Sequence, residues 1–273
     1  GRIDLTQAEA IIDIIEAKTE DSLSLAVSQL DGTVSSFVKD VREQLIAMIA
    51  HLEVTIDYPE EDIEDVTSQE VREQLEPILK AMENLLSTAN TGRLIRDGIT
   101  TVIVGRPNAG KSSLMNALLR ENRAIVTDIP GTTRDSIEEY MTVEGISLRL
   151  IDTAGIRDTQ DMVEALGVER ARDYINKADI VLCVIDGSTP LNPEEIEILT
   201  SVSGLNTIVL LNKSDVAQVV TDENIKEHGN FTAIERISAK EGEGSAVLSK
   251  WVQELVYGGR VKQDNSAMIS NVR

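Results

Sequence analysis

The chain has 273 residues, 41% of them hydrophobic and 27% charged, a balance that supports buried cores for about two average domains and excludes a disordered polymer. Lys and Arg number 26 against 47 Asp and Glu, a formal net charge of −21 with only 3% aromatics, which opposes unaided binding to nucleic acid or anionic lipid and leaves few rings to stack on bases. One cysteine excludes an internal disulfide and a cysteine-rich zinc site, and no apolar run approaches the roughly 20 residues that cross a bilayer, so a cytoplasmic protein with no membrane partner is expected.

From Leu5 to about Ile56 apolar residues recur at steps of three and four (Ile11, Ile14, Ile15, Leu23, Val27, Leu30, Val34, Val38, Leu45, Ile49, Leu52) with no proline among them, which predicts long amphipathic helices. Asp57 to Asp65 breaks the pattern with Pro59 and a dense carboxylate run. Without the ordered ligand spacing of a calcium loop, it reads as a solvated linker in preference to a cation site. Helical spacing resumes at Val71, Leu75, Ile78, Leu79, Met82, Leu85 and Leu86, with Pro77 among them. Because proline removes an internal hydrogen bond, this helix is expected to start near Pro77 or to bend there.

Near Gly98 the period changes to short β-rich runs alternating with helical ones. This predicts a second, α/β domain: a mostly parallel six-stranded sheet with helices on both faces, behind an all-α domain. Its strands should be Thr100 to Gly105, Tyr140 to Glu144, Ser147 to Asp152, Ile180 to Asp186, Thr207 to Asn212 and Ile234 to Ser238. Val143-Glu144-Gly145-Ile146 reads as a tight hairpin turn, so one edge strand should be antiparallel. The last helix, about Ser245 to Val256, carries Val247, Trp251 and Leu255 at fours, which places Trp251 in the core. Cys183, inside an apolar strand, reads as an inert core thiol. His51 and His228 have no paired ligands nearby and read as structural.

Gly105-Arg106-Pro107-Asn108-Ala109-Gly110-Lys111-Ser112 satisfies G-x-x-x-x-G-K-S between an apolar strand and a helical run. A polyphosphate needs converging backbone amides. Glycines let the loop wrap closely, the helix adds its positive end, and a lysine neutralises charge. The nucleotide-contacting set expected here is Asn108, Ala109, Gly110, Lys111, Ser112 and Ser113, with Ser112 on magnesium. Asp152-Thr153-Ala154-Gly155 follows a second strand; Asp152 should hold the magnesium through water and the Gly155 amide should meet the γ-phosphate. Asn212-Lys213-Ser214-Asp215 follows a third. Asp215 can accept both N1-H and the exocyclic amine of guanine, donors that adenine lacks. Asn212 should brace neighbouring loops, Lys213 should lay its stem across the base, and Ser238-Ala239-Lys240 should offer backbone N-H to guanine O6. Together these motifs resemble the translation-factor-like GTPase superfamily over about Thr100 to Tyr257, which implies GTP and GDP as substrate and product.

Ile125-Val126-Thr127-Asp128-Ile129-Pro130-Gly131-Thr132-Thr133-Arg134-Asp135 resembles the first switch of bacterial tRNA-modification and ribosome-assembly GTPases. That resemblance implies that Thr133 closes onto magnesium and γ-phosphate, that Thr127 and Thr132 also line the nucleotide, and that Arg134 and Asp135 steady the loop. It further implies a potassium ion held by Asn108 and by carbonyls near Thr127 and Ile129, replacing an arginine finger electrostatically. Position 156 is Ile, so another group must orient water. The residues leave Asp158, Asp161, Glu164 and Glu169 open as candidates.

Residues 1–97, with Asp4-Leu5-Thr6-Gln7-Ala8-Glu9-Ala10 at their start, resemble the helical domain of the tRNA-modification GTPase MnmE (TrmE) family. The resemblance selects Glu164, in Val163-Glu164-Ala165-Leu166-Gly167, as the catalytic glutamate. It implies a helical part over 1–97, a GTPase domain over 98–258 and a linker over 259–273 returning toward the helices, so that the chain reads as a fragment lacking the family's folate-binding N-terminal domain and C-terminal cysteine motif. It also implies potassium-stimulated hydrolysis, self-association through GTPase domains, and work with MnmG (GidA) on the wobble uridine of tRNA. The alternatives are a ribosome-assembly GTPase of the Era or EngA type, whose RNA-binding domain follows the GTPase domain, and a nucleotide-gated interaction module with little turnover.

Overall fold

The computed structural model describes residues 4–57, 68–122, 138–152 and 172–258. These divide at Asp97 and Gly98 into two compact units. The first is helical: α1 (Leu5–Glu16), α2 (Glu20–Leu30), α3 (Thr33–Asp57), α4 (Ser68–Ser87) and α5 (Ala89–Asp97). The long apolar period at its start is cut into three helices by local capping. Asp4 accepts from the Gln7 amide at 2.8 Å while the Asp4 amide donates back to Gln7 Oε1 at 3.2 Å. Thr19 and Ser22 form a second reciprocal pair at 3.2 and 3.1 Å, so two otherwise orphaned donors are satisfied at each start. Gly32, at φ +81°, makes the turn into α3. Ala10, Leu25, Ala26, Ile78, Leu94 and Ile95 are the buried apolar residues among the described part of this unit.

Helix α4 does not start at Pro77; it runs from Ser68 to Ser87 with Pro77 inside it. Pro77 lies on the exposed side, where the Glu73 carbonyl that loses its intrahelical donor is open to solvent.

The second unit alternates strands and helices: β1 (Ile99–Val104), α6 (Lys111–Asn122), β2 (Glu138–Val143), β3 (Ile146–Asp152), α7 (described over 172–177), β4 (Ile180–Asp186), α8 (Pro193–Val202), β5 (Thr207–Asn212), α9 (Asp222–Lys226), β6 (Ala233–Arg236) and α10 (Gly244–Tyr257). The sheet order is β2-β3-β1-β4-β5-β6. Among the described strands only β2 runs antiparallel to its neighbour. Glu144 and Gly145 both take positive φ, +53° and +81°, the twist a two-residue hairpin loop requires. Strands β4 and β5 are buried at every position, as expected of parallel strands covered on both faces. On one face Leu199 and Val202 of α8 and Ile225 of α9 pack with Val102, Val104, Cys183, Ile185 and Val209. Leu114 and Leu118 of α6 and Leu248 and Val252 of α10 are buried in the same unit.

Along α10 the buried row is Gly244, Leu248, Val252 and Val256. Val247, Trp251 and Leu255 stand beside it, half-buried. Trp251 is therefore a flank residue and not a core one: its indole N-H donates to Glu235 Oε1 at 3.3 Å and the Lys250 ammonium lies 4.9 Å from its ring centre. A polar N-H on a bulky ring favours the margin, where it can find an acceptor.

Candidate functional site

Strand β1 has β3 on one side and β4 on the other, so the strand order reverses there and a crevice opens at the carboxyl ends. The Gly105–Gly110 loop leaves β1 at that end and runs into α6. Gly105 takes φ +148° and a Cβ on it would lie 2.4 Å from the Val184 carbonyl oxygen. Gly110 takes φ +106° and its Cβ would lie 2.0 Å from Asn212 Nδ2. Both positions therefore require glycine. The Lys111 side chain is 6% exposed and its ammonium donates to the carbonyls of Gly105 and Arg106, each at 2.8 Å. Its charge is thus held across the mouth of the loop. Ser112 and Ser113 are exposed in the first turn of α6, where helix amides lack intrahelical acceptors and attract anions. Asp152 closes β3 in register with Ile103, which puts it at the same edge as the loop.

Asn212, 4% exposed at the end of β5, joins two segments. Its Nδ2 donates to the Ala109 carbonyl at 2.8 Å and its Oδ1 accepts from the Ala239 amide at 3.0 Å. Lys213, at φ +65°, sends its ammonium to Asp186 Oδ2 at 2.6 Å. The exposed Asp215 carboxylate accepts from Ser238 Oγ at 3.0 Å. Of the three amides expected to face a guanine oxygen, that of Ser238 donates to Glu243 Oε2 at 2.7 Å and that of Ala239 to Asn212. The Lys240 amide is the one with no partner among the described residues.

The structure adds charged residues that no motif singled out. Arg106 places Nε 2.9 Å from Glu195 Oε1 and a terminal nitrogen 3.8 Å from Asp186 Oδ2. The Nε-H points off the line to Glu195, so this contact is Coulombic, without the alignment of a good hydrogen bond. Glu195 is fully buried at the third position of α8, where its Oε2 accepts from the Asn192 amide at 3.1 Å. In sequence, Asn192-Pro193-Glu194-Glu195 reads only as a helix start. Burial raises the Asp186 carboxyl, but hydrogen bonds from Lys213 and Ser188 outweigh it and hold the group below the ordinary carboxylate range. Burial, with the nearby Glu195 charge, pushes the Cys183 thiol up to about 12, consistent with an inert core residue. Glu243 also accepts from Ser214 Oγ at 3.2 Å and so links the Asn212–Asp215 segment to Ser238.

Thr127, Ile129, Thr132, Thr133, Arg134, Asp135, Gly155 and Glu164 lie outside the described residues. Among the described ones no three His, Cys, Asp or Glu side chains cluster as a metal cage. The oxygen donors on hand here, the exposed Ser112 hydroxyl and the Asn108 side chain, exposed at φ +64°, are of the hard type that cations such as magnesium take. No helix among the described residues is long and apolar enough to cross a membrane.

A family model described as the MnmE helical domain matches residues 5–273. The tRNA modification GTPase MnmE of Clostridioides difficile (strain 630) is 47% identical over 273 residues, 100% of this chain and 60% of that protein. The protein of the same name from Heliobacterium modesticaldum is 52% identical over 259 residues, 94% of this chain and 56% of that one. The chain thus spans a little over half the length of these relatives. Among solved structures, Era in complex with MgGDPNP and a segment of 16S ribosomal RNA is 28% identical, with a TM-score of 0.45, covering 64% of this chain and 62% of that one. On the family model and these identities, the chain belongs to the tRNA modification GTPase MnmE family.

Proposed function

We propose that the chain binds GTP and GDP at the carboxyl edge of its sheet and hydrolyses GTP to GDP and phosphate. The observation that carries this reading is the pair of hydrogen bonds from Asn212, which gathers the Gly105–Ser112 loop, the Asp215 carboxylate and the Ser238–Lys240 segment at one edge. In this reading Lys111 and the first turn of α6 hold the phosphates, with Ala109, Gly110 and Ser113 beside them. Asp215 accepts the two guanine donors and the Lys240 amide meets the ring oxygen. Ser112, Thr133 and Asp152 would hold magnesium, and Asn108, Thr127 and Ile129 would hold potassium. When bound, these cations supply positive charge opposite the phosphate oxygens. Thr133 and the Gly155 amide would meet the γ-phosphate, Thr127 and Thr132 would contact the nucleotide, Arg134 and Asp135 would steady the loop, and Glu164 would orient water.

The names of the relatives support a role in tRNA modification; to this we add, as proposals, that GTP drives association of GTPase domains and that MnmG and tRNA are partners of the longer protein in the cytoplasm. At a net charge of −21, this part of the protein leaves tRNA contact to other surfaces. Isothermal calorimetry with GDP and ADP in magnesium, followed by single-turnover GTP cleavage in potassium and in sodium, tests the reading. GDP binding without ADP binding, and faster cleavage in potassium that is lost in Asn108→Ala and Glu164→Ala, is the expected outcome. Equal uptake of ADP refutes the site, and equal slow cleavage in both salts refutes the catalytic assignment.

A further inference from the structure

Lys111 is held by the carbonyls of the first two residues of its own loop, and the second of these, Arg106, is held in turn by its side chain. That side chain runs to a carboxylate with no solvent exposure, Glu195 on α8, and toward Asp186 at the end of β4. A third contact goes to Thr189 Oγ1 at 3.4 Å. Asp186 in turn binds Lys213 at 2.6 Å. A chain of alternating charges therefore runs from Glu195 through Arg106 and Asp186 to Lys213, behind the segments assigned above to the phosphates and the base.

A buried carboxylate facing a single guanidinium is expensive to desolvate and adds little net stability compared with a packed apolar pair. Helix capping alone does not require it, since a capping partner works equally well at the surface. What the arrangement does supply is geometry. Coulombic attraction to Glu195 and Asp186, with the contact to Thr189 Oγ1, holds the Arg106 guanidinium on that side, which opposes a swing of the peptide carrying its carbonyl away from the Lys111 ammonium.

We infer that Glu195 is a positioning residue for nucleoside diphosphate and triphosphate binding: acting through Arg106, it sets the loop backbone so that Lys111 meets the β-phosphate. The assignment rests on the nucleotide reading above and deepens it. The class of ligand it favours is defined by the second phosphate, because GMP reaches only the base-recognising segments and the first phosphate.

The test uses the whole 273-residue chain. GDP and GMP affinities are measured by calorimetry for the wild type, Glu195→Gln, Arg106→Ala and the double variant. Folding of each is checked by circular dichroism. Residues in one network couple by amounts that place the expected loss of GDP affinity at about tenfold for each single variant, with no further loss in the double variant. GMP affinity should stay within about twofold, since a base-side contact is not removed. Folded Glu195→Gln with unchanged GDP affinity overturns the inference, and so do additive losses or an equal loss of GMP. A fold-level role alone would lower the melting temperature and leave the GDP to GMP ratio of the folded protein unmoved. If Glu195→Gln does not fold, Arg106→Ala decides alone: its side chain is 27% exposed, and unchanged GDP affinity in it refutes the assignment. Failure of the wild type to bind GDP would instead refute the nucleotide reading itself.

Discussion

Removing the Asn212 side chain is the sharpest perturbation of the site. Asn212→Ala deletes one donor and one acceptor at once, leaving the Ala109 carbonyl and the Ala239 amide without partners. Both residues are buried, at 0% and 5% exposure. Each stranded group costs about 1 to 3 kcal/mol, and water entering the space left by the amide moderates the sum, so about 3 kcal/mol is expected for the pair. In a unit of this size each kcal/mol lowers the midpoint by about 2 to 4 °C, which places the shift at about 6 to 12 °C. Urea and thermal denaturation of nucleotide-free protein, followed by circular dichroism, measure it. Asn212→Asp should lose at least as much, because it keeps the acceptor for Ala239 but sets a carboxylate against the Ala109 oxygen. A loss below about 1 kcal/mol in Asn212→Ala would show that the two loops do not depend on this bridge, and the account of how the site is assembled would fail with it.

Gly110→Ala should abolish GDP binding, because the added Cβ meets Asn212 Nδ2 at 2.0 Å and φ is +106°; calorimetric affinity equal to the wild type would contradict the geometry. The folded pKa of Asp186 lies below its unfolded value, so the stability it contributes is complete above the ordinary carboxylate range and is lost as pH falls through the lowered folded value. Urea midpoints taken between neutral and acid pH should fall less steeply for Asp186→Asn than for the wild type, and parallel curves would remove Asp186 from the acid response. Cys183, fully buried with its thiol pushed up to about 12, should resist maleimide at pH 8 in the folded protein and react once urea unfolds it; stoichiometric labelling of folded protein at a free-thiol rate would place it at the surface.

The strands were legible because period and composition agree: Ile180–Asp186 and Thr207–Asn212 are continuous apolar runs ended by polar residues, and Glu144-Gly145 has the chemistry of a hairpin loop. The phosphate loop was legible because its glycines are imposed by backbone approach, a local demand that leaves a local signature. The helical unit was less so. An apolar period reports a face but not a break, and the breaks after Glu16 and Leu30 depend on the side chains of Thr19 and Ser22 and on Gly32. Trp251 carries the right spacing for the core, but a four-residue step fits two adjacent rows of one helix equally well, and only packing chooses between them. The Arg106 to Glu195 contact spans 89 positions, from residue 106 to 195, and no short-range pattern encodes a pair of that separation.

The order of strands also constrains how the second unit is made. Its central strand, β1, has no neighbour until residues 148 and 180 arrive to pair with positions 99 and 101, so large loops must close before any hydrogen bond of the central ladder forms. During synthesis Val102-Ile103-Val104 leaves the ribosome with no partner, an apolar segment waiting on chain still to be made. The acquisition of tertiary structure in this unit should therefore be late and cooperative, and crowding of nascent chains is the condition under which yield falls first.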